Sequence, residues 1–401
     1  MRIAVIGAKG LPPRQGGIEH YCAEVFPRVV EKGHSVDLFA QSTYTGFPWF
    51  NRHEFRGVNV RTLPSFGVNG IDTLVSSAVA SLLTVRPVYD VVHFHALGPG
   101  LFSLLPRLAT ESKIVVTCHG LDWQREKWGK LSGRLIRLGE KASVRFAHEI
   151  TVVSADLQNY FAKTYGRSTT FIPNAPAGYA ASDPDFPFVR SLGAEPGKYI
   201  IFLGRLVPEK CPDLLIEAFQ SIQAKDWKLI LVGGHAAADL FTAKLYRLAA
   251  TNRNIIFAGE LRGARLAEVM RGAGAFTLPS NLEGSPLALL EAMRENIPVI
   301  ASDIKPHQEL LQTDKGLLFK KGDPIALRDC LNWALCHPHQ MQMMAEKAKK
   351  EILLNYNWNR VSTETIRLYE SLCEWGEHPT LEKTSILRLD QKIKILSDPR
   401  E

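Results

Sequence analysis

The segment SNLEGSPLALLEAM, residues 280–293, places two carboxylates around a helix start. Ser285 is a good N-cap, and Pro286 suits the first helical position because its missing N–H costs no hydrogen bond there. A helix is therefore expected from 286 to about 296. The amides and positive dipole end of such a helix attract an anion, phosphate above all, and Gly284 lets a ligand approach the backbone. Glu291 would be the sixth helical residue, roughly 8 Å along the axis, a depth that suits the hydroxyls of a ribose. Glu283, in the loop, can face a group on the other side. A diphosphate with a sugar at each end matches this layout. Carboxylate pairs also hydrolyse glycosides, but they then stand roughly 5–9.5 Å apart. A loop and nearly two helical turns put these backbones at or beyond that range. A solvated loop glutamate and a surface helix glutamate read equally well from spacing alone.

Other residues with chemical use end predicted strands. FLGRLVPEK, 202–210, carries Arg205 and Lys210, which would neutralise a diphosphate leaving group from the end of a strand. GAKGLPPRQGGIEH, 7–20, is a strand-to-helix connection that departs from the G-x-G-x-x-G fingerprint, with glycines at 7, 10, 16 and 17. Gly16 and Gly17 would let a helix start at about 18 face a phosphate or sugar. In TCHG, 117–120, His119 stands where it could bond a sugar hydroxyl or the reacting centre, or be a satisfied histidine beneath a loop. Ser154 ends a strand as a cleft residue or a helix N-cap. His93 and His95 share one strand face; with no carboxylate or cysteine nearby they read as core or cleft packing. Asp183-Pro-Asp185 mimics a metal clamp, but it lies beside prolines away from any strand end and is taken as chance.

The elements that must position these groups alternate regularly. Near-continuous apolar runs at 2–7, 34–40, 58–64, 89–95, 112–118 and 149–154 read as strands covered on both faces, with helices such as 18–32, 72–84 and 126–147 between them. The scheme repeats at 198–204, 228–234, 254–260, 274–280 and 297–302, with helices near 211–224, 238–251, 263–272 and 285–296. The break is a Pro/Ala/Gly-rich linker at 173–198. The fold class is α/β, two Rossmann-like doubly wound domains facing a central cleft. At 401 residues two domains are the default, and 45% hydrophobic with 22% charged residues is an ordinary globular composition. No apolar run reaches the roughly 20 residues that cross a bilayer. The opening MRIAVIGAKG reads as a buried strand, not a signal peptide. Six cysteines without CxxC spacing suit a reducing cytoplasm.

Taken in this order, the motifs resemble the retaining glycosyltransferases of family 4, with the GT-B fold, over roughly residues 1–375. The resemblance rests on Gly16-Gly17-Ile18-Glu19, His119-Gly120, Ser154, Pro173-Asn174, Gly204-Arg205 with Glu209-Lys210, and the glutamates at 283 and 291. The opening GAKGLPPRQGGIEHYCAEV is similar to the subgroup of extracellular and capsular polysaccharide assembly. The resemblance implies an acceptor domain over 1–180, a donor domain over 181–357 and a crossover helix over 358–375 returning to the first domain. It leaves a tail, 376–401, without a role. It implies that Arg205 and Lys210 bind the donor diphosphate and Glu291 the ribose. Glu283, with the backbone of Gly284, Ser285, Pro286 and Leu287, would hold the sugar or phosphates. Gly16 and Gly17 would lie by the phosphates and His119 by the transferred sugar. The family often has glycine where this chain has Ala175 and Cys211, which leaves the local backbone there in question. No metal or other cofactor is expected. A nucleotide-sugar epimerase of the same fold and a non-catalytic nucleotide-sugar-binding protein stay open; a nicotinamide enzyme is disfavoured by the broken glycine pattern.

Residues 1–180 hold 20 Lys+Arg and 13 Asp+Glu, and the remainder 28 of each, so all the excess positive charge lies in the first half. Lys127, Lys130, Arg134, Arg137, Lys141 and Arg145 form a stripe on one helix face, with Leu131, Leu135 and Leu138 expected to pack inward. The stripe suits an anionic lipid surface, or is a solvated face. No recognised nucleic-acid-binding pattern accompanies it. The aromatic stretch TGFPWFNRHEF, 45–55, with Trp49 and Phe50, is the candidate for acceptor selection, with Ser154 and Asn174 as further cleft candidates. The expected location is the cytoplasm, peripheral on the membrane's inner face.

Overall fold

The computed structural model describes residues 1–374, apart from 15, 69, 87, 125–128, 223–225 and 235–239. Lys127, the Lys130 side chain and the tail thus lie outside what the structure describes. The first half forms an eight-stranded sheet: β1 (Arg2–Ile6), β2 (Ser35–Gln41), β3 (Arg52–Phe55), β4 (Val58–Leu63), β5 (Val91–His95), β6 (Lys113–Cys118), β7 (Glu149–Val152) and β8 (Thr170–Phe171). The second half forms a six-stranded sheet: β9 (Tyr199–Leu203), β10 (Lys228–Val232), β11 (Ile255–Gly259), β12 (Ala275–Leu278), β13 (Val299–Ser302) and β14 (Leu317–Phe319). Among the described residues every strand pairing is parallel except the β3–β4 hairpin. The apolar strands are buried on both faces, as a parallel sheet between helix layers requires.

The strand order decides where a ligand can bind. The first sheet runs β3-β4-β2-β1-β5-β6-β7-β8 and the second β11-β10-β9-β12-β13-β14. Each order reverses direction beside its first strand, between β1 and β5 and between β9 and β12. A doubly wound sheet opens a crevice at the carboxyl ends there. The chain leaving β1 carries Gly16 and Gly17; that leaving β9 carries Arg205 and Lys210; that leaving β12 carries Glu283 and Gly284.

Three short strands fall outside the sequence pattern. In β3–β4 the turn is Arg56-Gly57, both at positive φ (49° and 82°), so the hairpin lacks the Asn-Gly or Asp-Gly signature. The other two, β8 and β14, have two and three residues, too few to show a period. The stretch read as a linker also holds a short helix, Pro187–Ser191, entered from Phe186 in the left-handed region. The expected helix over 126–147 spans Lys130–Phe146. The helix Trp358–Glu374 sends Trp358, Val361, Ile366 and Tyr369 into the core of the first sheet. The Trp358 indole donates to the Pro176 carbonyl at 3.1 Å, tying that helix to the connection between the two halves.

Candidate functional site

The expected start of the glutamate helix needs correction. Pro286 is the N-cap and the helix runs Leu287–Arg294; no side chain caps it, so Ser285 is not its cap. The Leu287 N–H donates instead to the Ser285 carbonyl at 3.0 Å. Proline fixes φ but leaves ψ open, and here ψ is 83°, outside the helical range. Glu291 is then the fifth helical residue, roughly 6 Å along the axis.

The two glutamates stand in different electrostatic settings. Lys210 Nζ pairs with Glu283 Oε1 at 2.5 Å, and both side chains are largely buried. Burial opposes ionisation of Glu283, but the Lys210 ammonium outweighs it and holds the carboxyl below its ordinary range. Glu291 accepts a hydrogen bond from the Tyr179 hydroxyl at 2.7 Å. Burial dominates there and pushes its carboxyl up to about 7, against the Tyr179 and Ala177 hydrogen bonds and the charge of Arg294. Arg205 Nη2 lies 3.8 Å from Glu209 Oε1 across one turn of the same loop. The Asn281 N–H donates to the Glu209 carbonyl at 2.9 Å, which clamps the loop after β9 to the loop after β12. Cys211 closes that turn at φ 51° and ψ 44°, the left-handed conformation that glycine adopts freely. The departure at Cys211 therefore keeps the glycine geometry at the cost of strain, whereas Ala175 is buried and free of it.

The first sheet meets these loops from the other side. A Cβ built on Gly284 would collide with the His119 carbonyl and stand 3.0 Å from Gly120 Cα, so only glycine lets these two loops touch. A Cβ on Gly17 would lie 3.3 Å from Leu287 Cδ1. Gly16, at φ 99°, is the N-cap of the helix Gly17–Glu31, whose buried Glu19 accepts from the Lys9 N–H at 2.9 Å. Burial raises the Glu19 carboxyl, opposed by the Lys9 amide and by the charges of Lys9 and Arg205. Gly16, Gly17, His119, Arg205, Lys210, Glu283, Gly284 and Leu287 thus gather around the crevice, with Glu291 one turn into the helix.

The remaining candidates divide. Ser154 accepts from the Leu157 N–H at 3.4 Å as the N-cap of Ala155–Tyr165, the cap reading. Asn174 is buried with its Oδ1 unpartnered among the described residues. Trp49 and Phe50 are 52% and 63% exposed, and Trp49 meets Phe66 edge-on at 5.7 Å between centroids. His93 and His95 are fully buried, consistent with packing. On the helix Lys130–Phe146, Ile136, Gly139, Glu140 and Ser143 face inward, while Leu131 and Leu138 are 72% and 51% exposed. The inward packing expected of those two leucines is therefore wrong: Gly139 sits against the Leu97 backbone and selects the buried face. Arg137 covers the Trp123 ring at 4.0 Å.

Two residues of the site carried no sequence signal. Tyr179 lies in the aperiodic connection. His307 follows β13, with Nδ1 at 2.9 Å from the Ser302 carbonyl and a buried Nε2 that has no partner among the described residues. Since a carbonyl only accepts, Nδ1 carries the proton and Nε2 is a bare acceptor. Burial pushes this imidazole down to about 4, although the Glu283 charge raises it.

Comparison with known proteins fits this architecture. A family model described as glycosyl transferases group 1 matches residues 188–351, and one described as glycosyl transferase 4-like domain matches 16–175. The D-inositol 3-phosphate glycosyltransferase of Nocardia farcinica is 26% identical, with 94% of this chain and 90% of that protein covered. The phosphatidyl-myo-inositol mannosyltransferase of Mycobacterium leprae is 27% identical, with 72% and 75% covered. Among solved structures, Anabaena HepE in complex with UDP and glucose superposes with a TM-score of 0.77 at 19% identity, covering 92% of this chain and all of that one (100%).

Proposed function

We propose that this chain, whose two halves match the glycosyl transferase 4-like and group 1 models and whose fold is GT-B, moves a sugar, with retention, from a nucleoside diphosphate sugar to a hydroxyl of a lipid-linked or polysaccharide intermediate in cell-envelope glycan assembly. The observation that carries the donor is the buried Lys210–Glu283 pair at the switch point of the second sheet, with Arg205 on the same loop. Lys210 and Arg205 receive the diphosphate, and Glu291 receives the ribose hydroxyls. Glu283 and the backbone from Gly284 to Leu287 hold the transferred sugar, with Gly16 and Gly17 by the phosphates and His119 by the sugar.

In the reaction, the bond from the anomeric carbon to the phosphate oxygen breaks and a bond to the acceptor oxygen forms on the same face. The acceptor's proton passes to the departing phosphate. Arg205 and Lys210 stabilise the charge that grows on the diphosphate, so the proposal includes no metal. The contact of Gly284 with the His119-Gly120 backbone shields the donor from water when the halves close.

The acceptor is assigned to the first half, with Trp49 and Phe50 selecting it. A lipid-linked acceptor is supported by the stripe Leu131, Arg134, Leu138, Lys141 and Arg145, which alternates exposed leucines with cations as a surface helix does. The M. leprae relative is named a phosphatidyl-myo-inositol mannosyltransferase. Docking on the inner surface of the membrane belongs to the same proposal; among the described residues no helix is long and apolar enough to cross a membrane. The test is incubation with a panel of nucleotide sugars, with and without lipid-linked acceptors. Acceptor-dependent release of nucleoside diphosphate supports the proposal. A new sugar nucleotide formed without acceptor would mean an epimerase, and binding without turnover a non-catalytic protein.

A further inference from the structure

His119 is not alone at the crevice. Its Nε2 lies 2.9 Å from Nδ1 of His95, and the two rings stack at 5.3 Å with 26° between their planes. His95 has no exposed surface, and its own Nε2 is buried with no hydrogen-bond partner among the described residues. Tyr21 and Phe26 press on it at 5.4 and 5.7 Å. Two residues earlier on the same strand, β5, the His93 ring lies 4.2 Å away between centroids, bonded to the Tyr369 hydroxyl at 2.5 Å and to Thr117 at 2.6 Å. Thr117 is in turn bonded to Thr151 at 2.6 Å. This bracing leaves the His95 ring one position.

Burial holds His95 far below the usual imidazole range, so its ring is neutral and carries one proton. That proton has two places. On Nε2 it would be a buried N–H without an acceptor, the kind of orphan folded proteins avoid most. On Nδ1 it is donated to His119, and the vacant Nε2 is only an unused lone pair. With His119 Nε2 accepting that bond, the proton of a neutral His119 must sit on Nδ1.

We infer that His95 is a positioning residue which fixes His119 as the Nδ1–H tautomer, so that His119 meets the transferred sugar as a hydrogen-bond donor. The role assigned to the sugar contact rests on the proposed transfer reaction; the tautomer does not. In a glycosyl transfer such a donor is aimed at a hydroxyl or at oxygen gaining negative charge.

The experiment is imidazole 1H–15N correlation spectroscopy on histidine-labelled protein, with the His119 signals identified by their loss in His119→Gln. The wild type is expected to show His119 protonated at Nδ1. His95→Asn places an amide N–H where Nδ1 stood and should keep that tautomer, whereas His95→Leu should release it toward Nε2–H. The transfer assay then expects kcat to fall at least tenfold in His95→Leu, with donor Kd unchanged and most of the rate restored in His95→Asn. An Nε2–H tautomer in the wild type overturns the inference, even if the leucine variant does not fold. So does one tautomer shared by all three proteins. If no transfer is found with any donor, the proposed function fails while the tautomer result still decides the positioning.

Discussion

Lys210 and Glu283, 73 residues apart in the chain, form a largely buried ion pair at 2.5 Å that joins the loops leaving β9 and β12. Removing one partner leaves the other charge buried and uncompensated, which costs about 3–5 kcal/mol. Lys210→Ala should therefore lose stability on that order in denaturant unfolding. Adding Glu283→Gln should recover much of the loss without recovering donor binding. A double variant as unstable as the single one would show that the pair is not the source of the cost.

Glu291 gives a pH signature. Its folded carboxyl sits near 7 against an ordinary value of 4.5, so between those values the folded state binds more protons than the unfolded state. Stability from this group is full below about pH 4.5 and is lost as pH rises through 7. Glu291→Gln, neutral throughout, should gain on the wild type by on the order of 3 kcal/mol between pH 4.5 and pH 8. Parallel stability curves for the two proteins would contradict the buried, proton-holding carboxyl. Since ribose hydroxyls bond the ionised form better, nucleoside diphosphate affinity should rise with pH over the same range.

Gly284 touches the His119-Gly120 backbone with no room for a side chain. Gly284→Ala should push the crevice loops apart by several tenths of an ångström or more. A misplacement near 1 Å costs about 100-fold in rate, so kcat should fall much further than donor Kd changes. Equal losses in both would place Gly284 in donor binding alone.

The sheets were legible because their strands are buried on both faces and read as unbroken apolar runs. The charged residues of the crevice were legible because they follow strand ends, where an open α/β sheet binds ligands. Ser285 misled because a Ser-Pro pair fixes φ, while here ψ of Pro286 delays the helix to Leu287. Leu131 and Leu138 misled because helical period finds a face but not which face the neighbours cover, and here a glycine contact decides. Tyr179 and the bond between His95 and His119 were invisible because each joins segments with no shared local pattern.

The exposed leucine and arginine stripe predicts preference for anionic vesicles. Each basic residue near such a surface contributes about 1 kcal/mol, so Arg134→Glu with Lys141→Glu should lower co-sedimentation by about 10-fold or more, leaving transfer to a soluble acceptor unchanged. Equal binding to neutral and anionic vesicles would remove the docking role.

Arg205, Lys210 and Glu291 are proposed to hold one nucleoside diphosphate sugar. Calorimetric titration with UDP-glucose and related donors, in chelator, compares the wild type with Lys210→Ala and Glu291→Ala. At least one donor is expected to bind the wild type, and both variants to lose at least 10-fold in affinity, about 1.4 kcal/mol. Undiminished binding and transfer in both variants would contradict it.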